Sequence, residues 1–100
     1  MSLFSNHTAA ISHLCEKHHV KRLLVFGSAV TGKLHSTSDI DLLVEFGEVN
    51  LMEYADNYFE LKEELERIFN REVDLLEMQA LKNPYLIHSI QENQMLLYAA

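Results

Sequence analysis

Two aspartates, Asp39 and Asp41, open the apolar run Leu42-Leu43-Val44, and they follow a Gly27-Ser28 pair after an interval of ten residues. On a strand, residues two apart project to the same side, so both carboxylates aim the same way. Like charges this close, at the mouth of an apolar strand, repel each other and are costly to desolvate. Turn chemistry with Asp39 as a cap accounts for the pair taken alone, but not for the pair together with Gly27-Ser28 and a later Asp74. A divalent cation removes the cost. Hard oxygen ligands at this spacing suit magnesium, which combines a few carboxylates with substrate phosphates. Ahead of them, Gly27 ends the run Arg22-Leu23-Leu24-Val25-Phe26 and lets the backbone approach a ligand closely. Ser28 opens the next segment, where free amides and a hydroxyl can hold phosphate oxygens.

Hydrophobic periodicity predicts one α/β domain over residues 1–100, a small mixed three-stranded sheet flanked by helices. A first helix is expected from about Asn6 to His19, with Ala9, Ile11, Leu14, Cys15 and His18 on its inner face and Asn6 or Thr8 as cap. Arg22 to Phe26 reads as a buried strand, Ser28 to Lys33 as a short helix loosened by Gly32, and Leu34 to Ser38 as loop. Asp39 to Phe46 is the second strand. Ile40, Leu42 and Val44 share one face of it, while Asp39, Asp41 and Leu43 share the other. Leu51, Tyr54, Ala55, Tyr58, Leu61, Leu65, Ile68 and Phe69 mark a long amphipathic helix to about Asn70, with Glu60, Glu63, Glu64 and Arg67 on a solvated outer face. Glu72 to Glu77 is the third strand. Asn83-Pro84 caps a last helix running from Tyr85 to about Tyr98.

Topology brings in the third carboxylate. Gly27-Ser28 lies at the end of strand one and Asp39-Asp41 at the start of strand two, so these meet only if the strands are antiparallel. The long helix then returns strand three parallel to strand two. That sets Asp74, flanked by Val73 and Leu75, beside Asp39 and Asp41. Three carboxylates at one sheet edge are suited to two-metal phosphoryl-type transfer, with one ion on the triphosphate and the other lowering the pKa of the attacking hydroxyl. Asp74 is the natural proton acceptor.

A formal net charge of −7, from 15 acidic and 8 basic residues, argues against a nucleic-acid backbone as the main partner. No apolar run reaches the roughly 20 residues of a membrane span, and no signal peptide is evident, so a cytoplasmic location is expected. The lone Cys15 reads as a buried structural thiol. The histidines show no mutual ligand spacing, and surface or helix-end roles are expected of them.

At Gly27-Ser28, Asp39-x-Asp41 and Asp74 the chain resembles the minimal nucleotidyltransferases of the DNA polymerase β superfamily. The likeness extends over Leu42 to Phe46 and over Leu81-Lys82-Asn83-Pro84-Tyr85. It implies the polymerase β-like fold, Gly27 and Ser28 at the triphosphate, Asp39 and Asp41 as magnesium ligands, and Asp74 as third ligand and base. It also implies that Asn83 or Tyr85 borders the nucleotide. Many members are antitoxins paired with a small helical HEPN ribonuclease toxin, which implies transfer of AMP from ATP to a tyrosine of such a partner. Many carry an Arg soon after Gly-Ser, whereas here Ala29, Val30 and Thr31 follow, so a basic contact to the triphosphate either comes from Lys33 or is missing. The competing class is a binding antitoxin that neutralises its partner by occlusion, and the Arg-less segment keeps it open. Transfer to a small molecule usually needs an added domain.

Overall fold

In a computed structural model of the chain, residues 2–33 and 38–100 are described. The expected loop from Leu34 to Ser38 therefore lies outside the described residues except for Ser38 itself, and His35 lies outside them too. A short helix α1 (Ser2–Ser5) precedes α2 (Thr8–Lys17), β1 (Val20–Phe26), the single turn α3 (Ser28–Thr31) and β2 (Ile40–Phe46). Then come α4 (Tyr54–Phe69), β3 (Val73–Glu77), α5 (Pro84–Glu92) and β4 (Gln94–Ala99). The sheet has four strands in the order β3-β2-β1-β4. β2 runs antiparallel to β1, and β3 parallel to β2, as the placement of the carboxylates required.

The alternation along β2 divides the core in two. Ile40, Leu42 and Val44 are fully buried on the side covered by α2 and α4, against Ile11, Leu14, Leu61, Leu65 and Phe69. Leu43 faces the other side with Leu24, Phe26 and Ile90 of α5. Each buried Leu contributes about 1.5–3 kcal/mol of transfer energy. Truncating Leu61 or Leu65, both at 0% exposure, should cost about 2–5 kcal/mol. The thinner second layer leaves the carboxylate end of the sheet open, because α5 lies over Leu43 rather than over Asp41.

Several expectations are corrected. The last helix stops at Glu92, and residues 94–99 form β4, antiparallel to β1. Met95-Leu96-Leu97-Tyr98 is a continuous apolar run that periodicity alone assigns to either element. Pairing with the backbone of β1, which would otherwise be an edge, decides for strand, so the sheet has four strands rather than three. Leu51 and Met52 are 87% and 89% exposed, because the Asn50 side chain accepts from the Met52 amide and opens a 3-10 turn (Leu51–Glu53) ahead of α4. Ala55 and Ala9 are exposed as well. The residue at the N-cap of α2 is His7, without a side-chain cap bond, while the Thr8 hydroxyl donates to the Ser5 carbonyl at 3.1 Å. Glu64 is not simply solvated. It meets Lys17 Nζ at 3.3 Å and His18 Nε2 at 3.5 Å, tying α4 to the end of α2.

Other readings match. Asn83 caps α5 by accepting from the Tyr85 and Leu86 amides, with Pro84 in the first turn. Asn70 ends α4 in the left-handed region at φ 54°. Cys15 is buried, which pushes its thiol up to about 12. His18 and His19 diverge: His18 is buried, with Nδ1 at 2.9 Å from Asn57 Oδ1, and His19 is exposed. Among the described residues no helix is long and apolar enough to cross a membrane.

Candidate active site

The site begins where β1 stops. Gly27 follows Phe26 with φ 75° and ψ −144°, a conformation open to glycine and strained for other residues. Phe26 is the register partner of Asp41 on β2. Asp41 turns its carboxylate over the Gly27 backbone so closely that a Cβ built there would stand 2.6 Å from Asp41 Oδ2. The glycine is therefore needed twice, for its φ and for the space that the carboxylate occupies. Past it, the Val30 and Thr31 amides bond back to the Gly27 carbonyl at 3.0 and 3.2 Å, and α3 forms. Ser28 stands at the start of that turn, half-buried. Gly32 ends the turn in the left-handed region. The Lys33 amide bonds to the Ser28 carbonyl at 3.0 Å, and the Lys33 residue is exposed.

Parallel pairing sets Asp74 of β3 directly beside Asp41 of β2. Asp39 lies one residue ahead of β2 and is exposed, as is Asp74, whereas Asp41 is half-buried. Burial raises the Asp41 carboxyl above its ordinary range, and the charges of Asp74 and Asp39 raise it further. Asp41 thus sits within reach of both neighbouring charges.

The fit of a magnesium ion can be judged from these donors. All are hard oxygens, and the burial and neighbouring negative charge that raise Asp41 are what a cation would offset. Among the described residues no three His, Cys, Asp or Glu side chains close into a cage as they stand. Magnesium does not require one, since it keeps waters and substrate phosphates beside one or two carboxylates. The donor set fits.

The polymerase beta nucleotidyltransferase family model matches residues 9–100. The chain belongs to this family. A Methanocaldococcus jannaschii relative, provisionally named protein adenylyltransferase MJ1379, is 41% identical over 80 residues, covering 80% of this chain and 79% of its own. A solved structure provisionally described as a minimal nucleotidyltransferase superposes with a TM-score of 0.75 at 30% identity, covering 95% of both chains. The MNT antitoxin, solved in complex with a tri-AMPylated HEPN toxin of Shewanella oneidensis, superposes with a TM-score of 0.63 at 18% identity, over 96% of this chain and 72% of that one. At that identity the likeness is one of fold.

This nucleotidyltransferase has further residues at the site that sequence reasoning missed. Arg71, just ahead of β3, donates from Nη1 to the carbonyl of Ser38 at 3.4 Å, one residue before Asp39. The segment after Gly27-Ser28 offers Lys33, and the fold brings another cation in from beyond the end of α4. Tyr58 and Glu66 of α4 bond to β3 on either side of Asp74. Nothing in their helical spacing distinguishes them from ordinary amphipathic positions. On the same sheet face as Asp41, one side-chain layer away, a groove of about 360 Å³ is lined by Leu24, Leu43, Met78, Leu81 and Ile90. Tyr85 is 85% exposed.

Proposed function

We propose that this nucleotidyltransferase transfers AMP from ATP to a tyrosine hydroxyl of a HEPN toxin and so acts as its antitoxin. The observation that carries the reading is the register pairing of Asp41 with Asp74, with Asp41 seated against Gly27. It gathers the carboxylates where β1 hands over to Ser28. Relatives named as protein adenylyltransferases, and a fold shared with an antitoxin solved on its AMPylated toxin, support the partner and the reaction.

In this reading Asp39 and Asp41 hold the metal, with Asp74 as the third ligand. Bound magnesium would neutralise triphosphate charge and lower the pKa of the attacking hydroxyl. The chain's own groups supply the rest. Gly27 and Ser28 receive phosphate oxygens by backbone amides and the Ser28 hydroxyl, with Lys33 as the added positive charge. The tyrosine oxygen attacks the α-phosphorus, the bond from that phosphorus to the bridging oxygen breaks, and pyrophosphate leaves. Asp74 accepts the phenolic proton. The apolar groove beside Leu43 offers surface for a planar base.

The test is to incubate purified HEPN partner with labelled ATP, magnesium and this protein. Label and a mass increase of AMP on a partner tyrosine are expected, and their absence would overturn the reading. The segment Ala29-Val30-Thr31, without an arginine, favours a second reading: an antitoxin that neutralises its partner by occlusion. Neutralisation without label would establish it.

A further inference from the structure

β3 is an edge strand, with β2 on one side only. In a parallel ladder, alternate residues direct their backbone groups to the neighbour. Ile40 N–H donates to the Glu72 carbonyl at 3.0 Å, so the groups of Val73 and Leu75 are directed outward, away from β2. Two of these outward groups, one on each residue beside Asp74, are taken by α4. Val73 N–H donates to Glu66 Oε2 at 3.0 Å. The Tyr58 hydroxyl donates to the Leu75 carbonyl at 2.5 Å. Lys62 Nζ lies 3.6 Å from the same Glu66 oxygen, holding it from the helix side. Burial, with the charges of Glu77 and Asp74, raises the Tyr58 hydroxyl above its ordinary range, so it remains a donor at neutral pH.

General edge protection would be served by bonds anywhere along β3. Here the two bonds bracket a single residue, and that residue is the register partner of Asp41. We infer that Tyr58 and Glu66 are positioning residues for Asp74, a two-point clamp from α4 that sets the height and twist of β3 where Asp74 meets Asp41. The inference rests on the reading of Asp74 as ligand and base. Displacing a reacting group by about 1 Å can cost on the order of a hundredfold in rate. A clamp of two bonds on a strand whose one neighbour in the described sheet is β2 therefore bears on the rate.

The test uses Tyr58→Phe, which keeps the ring and its edge contact with Phe59 while losing the hydroxyl. It also uses Glu66→Ala and Glu66→Gln, the last retaining an acceptor oxygen. On AMP transfer to the HEPN partner, Tyr58→Phe and Glu66→Ala should lose about tenfold or more in kcat, with the KM for magnesium-ATP little changed, and Glu66→Gln should recover much of the loss. In the metal-free protein, NMR should show faster exchange of the Val73 amide and a moved Asp74 carboxyl carbon in Glu66→Ala but not in Glu66→Gln. Unchanged kcat with an unmoved Asp74 signal would overturn the inference, as would a kcat loss that only follows loss of folded protein. Asp74→Ala, assayed alongside, separates the two levels. If it is inactive while the clamp variants behave as wild type, only the clamp fails. If it is fully active, the reading of Asp74 fails and the clamp with it. The NMR readouts need no substrate, so they judge the clamp geometry even where no transfer is seen.

Discussion

The Asp41 carboxylate lies over Gly27 so closely that a methyl group on that glycine would stand 2.6 Å from Oδ2. Such a distance is shorter than van der Waals contact permits, and φ 75° is unfavourable for any residue with a Cβ. Gly27→Ala must therefore move the carboxylate or the backbone. We expect a stability loss of about 1–3 kcal/mol from backbone strain. In a domain of this size each 1 kcal/mol is a fall of about 4–8 °C in Tm. Transfer should fall more steeply than stability, because the displaced group is Asp41. A melting curve and a transfer assay on the same sample check this. A variant that melts lower but retains the full rate would separate Gly27 from the chemistry.

ATP binding should depend on magnesium. Three carboxylates facing a triphosphate repel it unless a cation intervenes, and at 4 Å each charge pair costs about 1 kcal/mol even at the dielectric of water. Calorimetry with magnesium and with EDTA measures the difference. Equal affinity in both would remove the metal from the binding step.

Asp39→Asn combined with Asp41→Asn should abolish transfer while leaving the metal-free fold as stable as wild type or more so. The sign follows from Asp41. Its carboxyl is raised above its ordinary range by burial first, then by Asp74 and Asp39. A raised carboxyl favours the protonated folded state, so its contribution to stability is complete below the ordinary value and lost as pH rises through the folded one. In EDTA the double variant should thus gain on wild type as the pH is raised from acid towards neutral. Thermal melts over that range test it, and a variant that loses ground instead would make the pair structural.

Asp74→Ala distinguishes the two functions. For an enzyme, the variant loses the proton acceptor and one metal ligand, while the helical faces that meet a partner are untouched, so it should bind the partner without labelling it. Co-purification together with labelled ATP measures both. Neutralisation equal to wild type, with no label transferred by either protein, would leave an antitoxin that works by occlusion.

Much of this was legible in the chain itself. Period-two alternation along Ile40 to Phe46 set apart the face bearing Asp41 and Leu43 from the buried face of Ile40, Leu42 and Val44, since strand geometry admits no other arrangement. The need for Gly27-Ser28 to meet Asp39-Asp41 determined the antiparallel first pair, and the crossover of α4 the parallel second one. Asn83-Pro84 marked a helix start by local chemistry alone. What remained for the tertiary structure was whatever depends on a neighbour distant in sequence. Met95 to Tyr98 carries no period that separates strand from helix, and only the open backbone of β1 made it a strand. Leu51 looks like the first apolar position of α4 until the Asn50 cap turns it outward. Tyr58 and Glu66 read as unremarkable helical positions, because a bond to the edge of β3 leaves no trace in the spacing of α4. The register that sets Asp74 against Asp41, rather than one residue to either side, is a property of the assembled sheet. A slip of one residue would have turned Asp74 into the core, where its charge has no partner.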